Sequence, residues 1–127
     1  MNIRSKTAIL FLLSASLGAL IWCLCPFITG EVEPLDAGNY YLISLIGTGI
    51  LMGVLGPKGF WLWPIAIYLG QFSYIILYSF LGPYVGVNFF FTPMWMGMIS
   101  LAIITVLSLI GSAVGSGLRI LVEKLKK

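Results

Sequence analysis

The chain has 127 residues, of which 60% are hydrophobic and only 9% are charged. A soluble domain carries roughly 25% charged residues, and a domain this small cannot hide so much apolar surface from water. The composition therefore excludes an ordinary soluble protein. It predicts a multi-pass protein of the cell membrane, the inner membrane if the source is bacterial, with the lipid bilayer as its first partner.

The first apolar stretch covers residues 7–28 and follows a start that carries Arg4 and Lys6. Its apolar core is longer than the roughly 7–15 residues typical of a signal peptide, and no convincing small-x-small cleavage site follows it. We therefore expect this stretch to remain in the protein as a first transmembrane helix.

Three further apolar stretches follow the first, at residues 40–55, 60–81 and 94–118. The loop at 29–39 contains turn residues and carboxylates, residues 56–59 form a polar turn, and 82–93 is an uncharged loop rich in aromatic residues. The stretch at 94–118 is long enough to cross roughly 30 Å of hydrocarbon, whereas 40–55 is short.

The positions of the charges predict the number of crossings and the orientation. On a four-span path the basic flanks Arg4, Lys6, Lys58 and Arg119 fall on one side, and Glu31, Glu33 and Asp36 fall on the other. Basic residues in short loops stay in the cytoplasm. We therefore expect one domain over residues 1–127, an all-α transmembrane four-helix bundle with cytoplasmic N- and C-termini. A three-span path would place the basic ends on opposite faces.

Small residues mark the faces on which these helices are expected to pack, because helix association in lipid depends on close approach. The fourth helix has the clearest such face, within one arc of about 120°. Its members are Gly97, Ser100, Ser108, Gly111, Ser112 and Gly115. Two interpretations are open: packing inside one bundle, or self-association with a second copy.

The third predicted helix carries a polar stripe. Tyr68, Gln71, Tyr74 and Tyr78 fall within about 120° of one another on a helix. Gln71 lies near the middle of the membrane and needs a hydrogen-bond partner, for which the tyrosine hydroxyls are candidates. The stripe is predicted to be a structural contact inside the bundle, with a substrate seam and a contact with another protein as alternatives.

The aromatic loop offers a possible outer surface. Asn88, Phe89, Phe90, Phe91 and Trp95 carry no charge, and aromatic side chains favour the membrane interface. We predict that they rest on the membrane, with a docking surface for a partner or a lipid as the alternative.

Little in the sequence points to chemistry. The chain has no histidine, and no carboxylate lies inside a predicted span, which removes the usual metal ligands and acid–base pairs from the bilayer. Glu31, Glu33 and Asp36 are interpreted as a solvated outer loop, with weak cation binding as the alternative. Cys23 and Cys25 lie about 200° apart on a helix and are interpreted as apolar thiols.

The expected function is that of a non-enzymatic accessory or scaffold subunit of a larger membrane assembly, in contact with other membrane protein subunits or with itself. The rival hypothesis is a small homo-oligomeric channel or transporter for a neutral or lipid-like solute. No catalytic, cofactor-binding or metal-binding residue is predicted. Nucleic acid is not expected as a partner, because the net charge of +3 comes from basic residues at the ends of apolar spans.

Overall fold

A computed structural model of the chain describes residues 2–31, 34–57, 59–85 and 94–127, with the backbone alone at 82–85 and 94–97. This part of the chain contains four helices and no strand. The helices are α1 (Ile3–Thr29), α2 (Asn39–Leu55), α3 (Leu62–Val85) and α4 (Met94–Leu125). Each predicted span coincides with most of one helix, so the prediction of an all-helical fold with four helices is confirmed.

Three of the helices are long and apolar enough to cross a membrane: α1, the Leu62–Leu81 part of α3, and the Met98–Leu125 part of α4. The helix α2 has 17 residues and is shorter. At 1.5 Å per residue it extends about 26 Å, slightly less than the roughly 30 Å of a hydrocarbon core. The helices are thus compatible with a membrane protein.

The helix ends follow local backbone chemistry rather than hydropathy. The helix α1 continues through Pro26 and ends at Gly30, whose φ of 80° is left-handed and whose N–H donates to the Pro26 carbonyl at 3.1 Å. The helix α4 continues past residue 118 to Leu125, because Arg, Leu, Glu and Lys are strong helix formers in water as well. An apolar stretch therefore reports the membrane-crossing part of a helix and not its end.

The four helices form two tight pairs, α1 with α3 and α2 with α4. The paired helices run in the same direction, because contacts advance along both together: Gly49 faces Ser108, and Gly53 faces Ser112. The pairs then meet along two antiparallel edges, α1 beside α2 and α3 beside α4. Both termini consequently lie at the same end of the bundle.

Reciprocal glycine contacts hold the α2/α4 pair together. A methyl group on Gly49 would overlap the carbonyl oxygen of Ser108, and a methyl group on Gly111 would overlap that of Ile46. The same exchange repeats one turn further along both helices. Such close approach gives van der Waals contact and brings Cα–H groups near carbonyl oxygens, which stabilises helix pairs in lipid.

The α1/α3 pair uses the same geometry. A methyl group on Gly18 would overlap the carbonyl oxygen of Ile67, and one on Gly70 would overlap that of Ala15. Gly18 of α1 opposes Gly70 of α3, as Gly49 of α2 opposes Gly111 of α4. In both pairs, each glycine faces the carbonyl of the residue three positions before the opposing glycine. The helix pairs are therefore interlocked at the level of the backbone.

The core lies where the two pairs meet. It is formed by buried apolar and aromatic side chains from all four helices: Ile21, Trp22, Tyr41, Leu45, Ile67, Ile75 and Leu101.

Candidate functional site

Gln71 of α3 lies at the centre of the bundle and is fully buried. Its Oε1 accepts hydrogen bonds from Trp22 Nε1 at 3.1 Å and from the Tyr41 hydroxyl, and its Nε2 donates to Thr105 Oγ1 at 3.3 Å. The Thr105 hydroxyl donates to the Leu101 carbonyl at 2.6 Å. Each helix thus contributes one side chain to what we call the Gln71 cluster: Trp22, Tyr41, Gln71 and Thr105.

The Gln71 cluster joins the two helix pairs. Trp22 and Gln71 belong to the α1/α3 pair, whereas Tyr41 and Thr105 belong to the α2/α4 pair. A buried polar group without a partner costs several kcal/mol in an apolar medium, so these groups satisfy one another only when the pairs are docked correctly. The cluster is neutral, and its chemistry is suited to fixing the relative position of four helices.

The sequence reasoning missed three members of the cluster, Trp22, Tyr41 and Thr105. The polar stripe predicted the tyrosines of the same helix as partners of Gln71. Their depth in the membrane could have indicated these partners, because all four residues of the cluster lie roughly 11 to 15 residues from the basic end of their own predicted span. Polar side chains at equal depth on neighbouring helices are able to meet in the bundle.

The other members of the predicted polar stripe do not join the cluster. Tyr68 stacks on Phe72 with ring centroids 6.3 Å apart and lines a groove beside α4. Tyr74 lies against Trp22 of α1 at 6.4 Å and stacks on Tyr78 at 5.7 Å. The stripe therefore divides into a central glutamine, a tyrosine on the α4 side and a stacked pair on the α1 side.

The residues of the predicted small-residue face of α4 also lie in different environments. Ser100 is exposed, and Gly97 lies where only the backbone is described. The Ser112 hydroxyl donates to the Phe60 carbonyl at 2.6 Å, which ties α4 to the turn before α3. Four members of the face, Ser112 among them, are buried in the contact with α2: Ser108, Gly111, Ser112 and Gly115. Within one chain this part of the face is occupied by α2.

The predicted outer surface lies largely outside the described residues. Asn88, Phe89, Phe90 and Phe91 belong to the segment 86–93, which the structure does not describe. Trp95 falls in the first turn of α4, where the backbone alone is described. Membrane contact and partner docking by this loop stay predictions.

The two cysteines occupy different environments. Cys25 is buried, with its Sγ 3.4 Å from Thr29 Oγ1, and it donates to the Glu31 carbonyl at 3.4 Å. Cys23 is exposed on the surface of α1. Among the described residues, no three His, Cys, Asp or Glu side chains lie close enough together to hold a metal ion.

Two apolar grooves flank the junction of the helix pairs. The α1/α2 groove has a volume of about 380 Å³, and the α3/α4 groove has about 320 Å³. One wall of the α1/α2 groove is formed by leucines and isoleucines of α1. On the other wall, Ser44, Gly47 and Thr48 of α2 lie among the larger side chains of Tyr40, Ile43 and Leu51. A methyl group on Gly47 would meet nothing within 4 Å.

No protein-family model, curated protein or solved structure matches this chain.

Proposed function

We propose that the chain crosses the membrane four times, with both termini in the cytoplasm, and acts as a non-enzymatic accessory or scaffold subunit of a larger membrane assembly. The three long apolar helices support the membrane location. The side on which the basic flanks fall supports the orientation, because basic residues in short loops stay in the cytoplasm.

The contacts of α2 support its role as the fourth crossing. Gly49, near the middle of α2, faces Ser108 of α4, so the two helices lie at the same depth. A shortfall of about 4 Å against the hydrocarbon core is a small mismatch that local thinning of the bilayer accommodates. With α2 counted as a crossing, the four-span path brings the termini together on the side of the basic flanks.

The α1/α2 groove is the observation that carries the scaffold proposal. A glycine inside a helix costs about 1 kcal/mol relative to alanine, and small residues in lipid allow another helix to approach. Gly18, Gly49 and Gly70 each face the carbonyl of a neighbouring helix of this chain, whereas Gly47 faces open space in the groove. We assign this groove to one transmembrane helix of a partner protein, with Ser44 and Thr48 as polar contacts.

The Gln71 cluster favours this function over transport. Gln71 is fully buried and bonded to Trp22, Tyr41 and Thr105, so a solute would reach it only after the helix pairs separated. A purified protein that supports flux of a neutral solute through liposomes, with flux lost in Gln71→Ala, would favour the rival hypothesis of a channel or transporter.

Co-purification tests the scaffold proposal. Tagged protein extracted from its native membrane in a mild detergent is expected to carry a stoichiometric membrane partner. Gly47→Leu fills the α1/α2 groove and is expected to remove that partner while the purified variant stays folded. Gly117→Leu is the matched control, because Gly117 also has nothing within 4 Å and lies far from the groove on α4. Free protein alone, or equal partner loss in both variants, contradicts the proposal.

Chemical labelling tests the orientation. In a background with Cys23 and Cys25 changed to serine, Asp36→Cys is expected to react with a membrane-impermeant maleimide on intact cells. Lys126→Cys is expected to react only after permeabilisation. Labelling of both positions from the same side would refute the four-span path.

A further inference from the structure

The helix α4 extends well beyond the end of α2, the helix with which it pairs. Gly53 of α2 opposes Gly115 of α4, and α2 ends two residues after Gly53. The helix α4 continues from the same level to Leu125. We call residues 119–127 the α4 extension. Its helical part adds about 10 Å beyond the end of α2.

In the proposed membrane placement this length puts the α4 extension in the headgroup layer. The helix α2 is about 26 Å long, so it ends close to the edge of a hydrocarbon core of roughly 30 Å. A whole bilayer is roughly 40–45 Å thick, which leaves about 5–8 Å of headgroups on each side. A helical segment that continues about 10 Å beyond α2 therefore crosses the layer that contains the lipid phosphates.

The α4 extension has an apolar side and a basic side. Leu121 and Leu125 continue, at helical spacing, the apolar stripe that includes Leu118, and these three side chains are 47–78% exposed. Arg119 and Lys124 lie more than about 90° from the centre of this stripe, with Ile120 between them. Two more lysines follow at the end of the helix: Lys126 and Lys127. This pattern is typical of a helical segment at a membrane interface.

The positive charges of the α4 extension have little compensation within the chain. Its one acidic side chain is Glu123, whose Oε1 lies 3.6 Å from Arg119 Nε. That nitrogen is buried and has no hydrogen-bond partner among the described residues. The lysines of the extension form no ion pair in the described part of the chain. Glu31 and Asp36 lie between α1 and α2, at the opposite end of the bundle.

Depth and charge together determine the chemistry of the partner. A positive surface attracts anions, and the anionic groups at this depth of a bilayer are lipid phosphates. A zwitterionic headgroup also carries a positive charge, which four basic side chains repel, whereas an anionic headgroup carries none. The α4 extension therefore favours a phospholipid with a net negative charge.

We propose that the α4 extension binds the headgroups of anionic phospholipids in the leaflet at the end of the bundle that holds both termini. In the proposed orientation this is the cytoplasmic leaflet. The leucines of the stripe contact the acyl chains, and the basic side chains contact the phosphates. The proposal rests on the membrane placement of the helices but not on the scaffold role, because it requires no protein partner.

Quenching of a fluorescent label by nitroxide-labelled lipids tests this site in the purified full chain. With Cys23 and Cys25 changed to serine, bimane is attached at Val122→Cys or, as a control near the other end of α4, at Ser100→Cys. Both positions are exposed. The vesicles are phosphatidylcholine with a small, equal fraction of nitroxide-labelled phosphatidylglycerol or nitroxide-labelled phosphatidylcholine.

At position 122 the phosphatidylglycerol probe is expected to quench several-fold more strongly than the phosphatidylcholine probe, and at position 100 the two are expected to quench equally. The preference at position 122 is expected to fall at about 1 M salt, where the Debye length is about 3 Å. Equal quenching by the two probes at position 122, or the same preference at both positions, would overturn the proposal.

Matched removal of two charges provides the second arm. Lys124→Gln with Lys126→Gln is expected to reduce the preference at position 122 several-fold. Arg4→Gln with Lys6→Gln is the control, because these exposed side chains lie at the same end of the bundle but on α1, at the opposite corner from α4. Equal loss in both variants would show that the overall charge of the protein attracts the lipid, which contradicts the assignment.

Flotation with the vesicles in a density gradient separates this proposal from the membrane placement. Protein that does not float would overturn both. Protein that floats but shows no preference for phosphatidylglycerol would overturn the lipid site alone, whatever the co-purification experiment shows.

Discussion

Replacement of Gln71 by leucine is expected to lower the free energy of unfolding by about 2–4 kcal/mol. The substitution removes three hydrogen bonds between helices. Such bonds in membrane proteins average about 0.6 kcal/mol each, which gives a loss of about 2 kcal/mol. The Trp22 N–H and the Tyr41 hydroxyl would also lose their acceptor in a buried position, and at about 1 kcal/mol each, the lower end of the usual penalty, they raise the loss to about 4 kcal/mol. Thr105 keeps its bond to the Leu101 carbonyl and adds no penalty.

The assay is reversible unfolding in mixed micelles by titration with sodium dodecyl sulfate, followed by far-ultraviolet circular dichroism. The triple variant Gln71→Leu, Trp22→Phe, Tyr41→Phe is expected to regain much of the lost stability, because removal of both members of a buried hydrogen bond is nearly neutral. Tyr68→Phe is a control on the same helix, outside the Gln71 cluster. A Gln71→Leu effect within about 0.5 kcal/mol, or a triple variant less stable than Gln71→Leu alone, would refute the reasoning.

Two further predictions use matched substitutions in the same titration. Gly49→Ala is expected to destabilise by about 1–3 kcal/mol because its methyl group would overlap a backbone carbonyl, whereas Gly47→Ala is expected to stabilise by up to about 1 kcal/mol because nothing lies within 4 Å. Equal effects at the two glycines would contradict the interlocked α2/α4 pair. Trp22→Phe is expected to cost about 1 kcal/mol more than Trp63→Phe, because both rings are 1% exposed but only the Trp22 N–H has a hydrogen-bond partner among the described residues. The reverse ranking would show that Gln71 gains nothing from the indole.

The number of helices could be predicted from the sequence because apolar length is a local property. The pairing of the helices could not, because every helix carries a small-residue face of the same kind. The connection at 56–61 is short, yet it joins α2 to α3 across the diagonal of the bundle, while the tight contacts of α2 are with α4. Loop length therefore gave no guide to the backbone contact between Gly49 and Ser108.

The candidate site, too, could be predicted from the sequence only in part. That Gln71 needs a partner follows from its chemistry, and the prediction of a hydrogen-bonded residue in the third helix depended on nothing else. The identity of the partners depends on how α1, α2 and α4 are rotated about their axes, which is set by the glycine contacts of the two pairs. Tyr41 and Thr105 are brought to Gln71 by that rotation, while Tyr68 is directed away from it.

The pairing of α1 with α3 and of α2 with α4 has a consequence for biosynthesis. Every tight contact joins a helix made early with a helix made late, so the first hairpin leaves the ribosome with Gly18 and Gly49 uncovered. These faces close only after residues as late as Gly115 have been added. Throughout that interval the uncovered glycine faces of the first hairpin are complementary to the second hairpin of a neighbouring copy. Exchange of hairpins between two copies is therefore the misassembly to which this topology is most exposed, and crowded synthesis from one messenger RNA would favour it.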